Sequence, residues 1–92
     1  MNLDAYLSRP SAESMSAFAR SLDVHVDQVR QWRHSQGGRR PSPAKCASIE
    51  HATGGLVRCD ELRPDLTWAR IADKSWPHPK GRPVLDVSKA AA

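Results

Sequence analysis

The sequence predicts an all-α protein, a compact bundle of short helices with an irregular C-terminal tail. Three observations predict it. Apolar residues recur at helical spacing from Leu3 to Ile49, and Asn, Ser, Pro and Gly stand where helices start and stop. Beyond Trp68, by contrast, Pro77, Pro79, Gly81 and Pro83 interrupt a segment with neither a helical nor a strand period.

The first helix is expected after Asn2, an N-cap residue, with Leu3, Tyr6 and Leu7 on one face and Pro10 as its stop. Ser14 caps a second helix whose Met15, Phe18, Ala19 and Leu22 follow the i, i+3, i+4, i+7 stripe of a helix packed on one side. The stripe breaks at Asp23 and resumes as Val24, Val29 and Trp32, a gap too short for a long loop. Two helices joined by about three residues form a corner, and Asp23 is expected to take positive φ, which Asp tolerates better than most residues. Gly37 and Gly38 end the third helix, and Ser42–Pro43 reads as N-cap and first position of a fourth, with Cys46, Ile49 and Thr53 or Ala52 buried. Gly54–Gly55 closes it. A short extended piece over Leu56–Cys59 and one helical turn at Asp60–Arg63 complete the ordered part.

Ninety-two residues allow one small core, which argues against an enzyme with a deep cleft. The net charge of +4 is unevenly spread: residues 25–45 carry five basic groups against Asp27, and residues 69–92 carry five against two acids. That distribution favours an anionic partner next to the third helix. Cys46 and Cys59 lack metal-site spacing and no apolar run approaches the length of a membrane span, so reduced thiols in a cytoplasmic protein are expected, with no metal and no cofactor.

The stretch "AFARSLDVHVDQVRQWRH", the "RRPSPAKCASIEHATGG" that follows, and "CDELRPD" resemble the Cro-type phage repressors, and more closely the YdaS group of short prophage-encoded regulators. The resemblance covers roughly positions 2 to 66. It implies a five-helix, lambda-repressor-like fold containing a helix-turn-helix, and operator DNA as partner. Many members carry Gly at the turn where this chain has Asp23.

Carried onto this chain, the resemblance makes His25, Val26, Asp27, Gln28, Arg30 and Gln31 the candidates for base contact. Gln31 suits adenine, Arg30 guanine or a phosphate, and Val26 a thymine methyl. Asp27 would be repelled by DNA unless it accepts from cytosine or holds a neighbouring Arg in place; the second role is preferred. Phosphate contacts are expected from Ser14, Ser16, His34, Gln36, Arg39, Arg40 and Lys45. Arg33 is either a phosphate clamp or a solvated charge.

Plainer roles are assigned elsewhere: Trp32 and Cys46 to the core, Asp60–Glu61 to a helix N-terminus and His51 to the surface. The chain divides on this reading into a DNA-binding domain over 1–68 and a Pro-containing arm over 69–92. The function implied is a transcriptional repressor that binds an operator as a homodimer and occludes a promoter. The alternative is an antitoxin that wraps a toxin with its tail and autoregulates its operon. Two roles for the tail stay open: an apolar end at Val84, Leu85 and Val87 for an edge strand or a partner, or a basic arm through Lys74, Lys80, Arg82 and Lys89.

Overall fold

Residues 1–34 and 38–86 are described in the computed structural model. Gln36, Gly37, Val87 and Lys89 lie outside that range. Among the described residues, five short helices come first: α1 (Leu3–Leu7), α2 (Met15–Ser21), α3 (Val26–His34), α4 (Pro43–Ala52) and α5 (Cys59–Leu62). Two strands follow, β1 (Trp68–Ile71) and β2 (Arg82–Leu85).

Each expected cap is in place. Asn2 Oδ1 accepts from the Ala5 N–H at 2.7 Å, Ser14 Oγ from Ala17 at 3.1 Å and Ser42 Oγ from Lys45 at 3.3 Å. Each satisfies an amide that the first helical turn would otherwise leave open. The exit from α2 is equally specific. The Val24 N–H reaches back to the Ala19 carbonyl at 3.0 Å and the Asp23 N–H to Arg20 at 3.2 Å, while Asp23 takes φ 56°. This pairing closes a helix around one left-handed residue, and Asp23 occupies the position glycine usually fills. Gly54 (φ 64°) fills the equivalent position after α4, with the Gly55 N–H on the Glu50 carbonyl at 2.9 Å.

The core collects the apolar positions of the helices. Phe18, Val29, Ile49 and Val57 are fully buried, with Leu3, Tyr6, Leu7, Ala19 and Leu22 around them. Tyr6 and Phe18 meet at 5.9 Å between ring centroids. Ala19 is 2% exposed, so the α2–α3 crossing leaves no room for a larger side chain there. Met15, Val24 and Trp32 pack half-buried against this cluster.

Two local expectations are corrected. Leu56 and Val57 form a bend instead of an extended piece, because Thr53 Oγ1 accepts from the Val57 N–H at 3.1 Å and folds the chain back on the end of α4; only Arg58, the residue before α5, is extended. The tail is not irregular throughout. β1 and β2 pair antiparallel with Arg70 opposite Pro83 and Trp68 opposite Leu85. A two-stranded sheet has an open edge on each strand, which is where a proline without an N–H fits.

Glu50 attaches the hairpin to the helices. It is fully buried near the end of α4, and both oxygens receive the Arg70 guanidinium. Trp76 Nε1–H donates to it at 3.1 Å and the Cys59 N–H at 2.9 Å. Burial pushes this carboxyl up, but the hydrogen bonds from Arg70, Cys59 and Trp76 outweigh that effect and hold it below its ordinary 4.5. Two glycines permit the close fit. A Cβ at Gly55 (φ 83°) would lie 2.1 Å from the Pro77 carbonyl oxygen, and one at Gly81 (φ 97°) 1.9 Å from that of Ile71.

Candidate nucleic-acid interface

The exposed side of α3 is built from its first turn outward. His25 precedes the helix as its cap: its Nδ1 accepts from the Asp27 N–H at 3.1 Å, and its own N–H donates to Gln28 Oε1 at 3.2 Å. This reciprocal arrangement fills the role of a Ser–Glu capping box with different side chains. Gln28 stands three residues after His25, as the partner in a capping box would, yet His25 is not among the residues that ordinarily signal a cap.

Asp27 and Arg30 stand exposed one turn apart, with Arg30 Nη1 on Asp27 Oδ1 at 2.5 Å. The expectation that Asp27 holds an arginine in place therefore has its geometry. Gln31 is half-buried beside them. Val26 differs from expectation. Instead of lying on the side away from the core, it is half-buried and packs against the apolar cluster, because the chain turns at Asp23 and Val24 to bring the start of α3 down onto α2.

Arg33 is not a solvated charge, one of the two roles expected of it. Its Nε donates to Asp4 Oδ1 at 2.7 Å and its Nη2 to Ser8 Oγ at 2.8 Å, leaving the side chain 19% exposed. The contact ties the last turn of α3 to α1, and the guanidinium hydrogen bond holds the Asp4 carboxyl below the usual carboxylate range. Lys45 is also occupied, with Nζ donating to the Leu22 carbonyl at 3.0 Å, so that α4 caps the end of α2. No local sequence signal could reveal either contact, since their partners lie 29 and 23 residues away.

Arg39 and Arg40 lie exposed on the segment between α3 and α4. Arg40 meets Asp65 at 3.3 Å, where Arg63 also binds through two nitrogens at 3.0 and 2.9 Å. The Arg63 hydrogen bonds pull the Asp65 carboxyl down to about 2. Ser14 is committed to its cap, Ser16 is exposed on the first turn of α2, and His34 is exposed at the end of α3. Gln36 lies outside the described residues. Cys46 and Cys59 are both buried free thiols; burial pushes Cys46 up to about 11 and Cys59 higher still, which keeps both protonated.

A family model described as bacterial toxin YdaS matches residues 12–71, from just before α2 to the end of β1. The chain belongs to the YdaS family. A YdaS protein of Escherichia coli (strain K12), named "Putative transcriptional regulator YdaS", is 46% identical over 56 residues. That alignment covers 61% of this chain and 55% of the relative, so the chain spans about half the length of the curated relative it matches. No solved structure matches the chain. The family match takes in α2 to α5 together with Arg70, the partner of buried Glu50, and leaves out α1 and β2. Among the described residues, no helix is long and apolar enough to cross a membrane.

Proposed function

We propose that this YdaS-family chain is a sequence-specific double-stranded DNA-binding transcriptional repressor. In this reading α2, the Asp23 turn and α3 act as a helix-turn-helix, with α3 in the major groove. The observation that carries it is the α2–α3 corner: two short helices crossing closely at Ala19, closed by a left-handed residue, with α3 presenting polar and basic side chains on its outer side. The likeness to a protein named as a transcriptional regulator supports the same conclusion. Gln31, Arg30 and His25 are the readers of base edges, assisted by Asp27 and Gln28. Ser16, His34, Arg39 and Arg40 meet phosphates, and the capped start of α2 at Ser14 adds its amides. Arg33 and Val26 act by holding α3 in place, and Lys45 by tying α4 to the end of α2.

One recognition helix covers about half a site, so two copies bind an inverted repeat and occlude a promoter. Selection from a random duplex library tests this directly, with an inverted repeat of ~10-bp half-site spacing as the expected result. Replacing Arg39 and Arg40 by Gln should weaken every duplex alike and make the slope of log K against log salt shallower by about one for each phosphate no longer neutralised. An unchanged slope removes both residues from the interface.

The family's description as a toxin favours a second reading, in which the chain is one member of a toxin–antitoxin pair. The hairpin, with Ile71 and Leu85 46% and 40% exposed, is then the protein-binding surface, and DNA binding only autoregulates. A library selection that enriches no duplex favours it over the repressor.

A further inference from the structure

We infer that Asp27 sets the base selectivity of α3 by holding Arg30 for a guanine. Asp27 is thus a positioning residue and Arg30 the reader, on an inference that rests on the proposed entry of α3 into the major groove. The two side chains are joined at 2.5 Å and remain 57% and 49% exposed, and among the described residues neither reaches another element of the fold through a hydrogen bond or ion pair. An exposed pair of this kind adds little to folding, so its effect falls on whatever meets this surface.

Alone, an arginine at an exposed helical position samples many rotamers. With Nη1 on the carboxylate, its remaining N–H groups are presented as a fixed fork, and the acceptor pair that such a fork matches in the major groove is guanine O6 and N7. His25 Nδ1 lies 3.5 Å from Asp27 Oδ2, the oxygen that Arg30 does not use, so the Arg30 contact on Oδ1 is not shared. Gln28 Oε1 is taken by the His25 N–H, and His25 Nδ1 by the Asp27 N–H, which leaves the imidazole hydrogen on Nε2 as a second outward donor. The first turn and a half of α3 therefore offers donors, and a guanine edge, with two acceptors side by side, is its chemical complement.

A plain surface carboxylate and a positioning carboxylate give opposite results when the charge is removed. The experiment compares the full chain, Asp27→Asn and Arg30→Ala in selections from a random duplex library, with thermal unfolding measured in parallel. The wild type should select guanine at one fixed position in each half-site. Asp27→Asn should keep its thermal transition, bind non-specific duplex at least as well, and lose about fivefold or more of its preference at that position alone. Arg30→Ala should lose preference at the same position, and adding Asp27→Asn to it should change that position no further. If Asp27→Asn binds all duplexes more tightly and keeps its guanine preference, Asp27 is only a repelled charge and the inference fails while the reading of α3 stands. If the wild type selects no duplex, both fail.

Discussion

Helices α2 and α3 meet over an apolar seam of Phe18, Ala19, Leu22 and Val29, whereas α4 and the hairpin meet over a carboxylate. In the first region the ions are at the surface, in pairs such as Asp27–Arg30, and the interior is hydrocarbon. In the second, Glu50 is fully buried and draws on an arginine of β1, an indole of the 72–81 loop and the first amide of α5. The apolar seam tolerates neighbours of roughly the right shape, because dispersion and burial are not directional. The Glu50 contact demands particular donors, because a buried carboxylate without them is far more costly than an apolar side chain in its place. Through Glu50 the hairpin is fastened to the helices by specific chemistry, while the proposed DNA-reading corner is held by packing.

The largest test of that contrast is removal of the hairpin. Truncation after Trp68 takes Arg70 and Trp76 away from Glu50, and the loss of stability on urea unfolding should match or exceed that of Glu50→Ala. A truncated chain that unfolds at the wild-type midpoint would show that Glu50 finds solvent or other partners. Next come the matched single substitutions. Glu50→Ala takes the buried carboxylate from Arg70, only 13% exposed, and leaves it the Gly81 carbonyl at 3.2 Å and the exposed Asp60 carboxylate at 3.5 Å; it should cost about 3 kcal/mol, and Phe18→Ala ~3–5 kcal/mol through cavity and transfer terms. Denaturant midpoints at neutral pH measure both.

Acid separates the two regions where neutral unfolding does not. The folded-state value of Glu50 lies below its unfolded 4.5, so its contribution is complete above that pH and is lost as pH falls through the folded value. Stability of the wild type should therefore decline on the acid side of about pH 4.5, and Glu50→Gln should flatten that decline at the expense of stability near neutrality. Phe18→Ala should shift the whole profile down and keep its shape. A Glu50→Gln profile parallel to the wild type would assign the acid limb to other carboxylates.

The smallest expected effect is at the turn. Asp23→Gly removes the steric cost of a left-handed non-glycine residue and should raise stability by up to about 1 kcal/mol, with duplex binding unchanged. A loss of stability instead would mean that the Asp23 side chain supports the corner in a way its backbone does not.

The sequence by itself determined the helices of this protein, their caps and the turn between α2 and α3. Asn2, Ser14 and Ser42 act on amides three residues away, and the left-handed conformation of Asp23 follows from where the apolar stripe breaks. Such signals are local, so they can be read along the chain. Only the tertiary structure decided what Glu50, Arg70, Arg33 and Lys45 do. Glu50 looks like any solvated glutamate on a helix, and the Pro-interrupted tail gives no period that would announce β1 and β2. Their partners lie 20, 29 and 23 residues away, and a charge has no sequence pattern that distinguishes water from a distant counter-ion. Whether a charged side chain holds the fold or meets a ligand depends on which groups folding brings within hydrogen-bond reach, and that distance exists only once the chain has closed on itself.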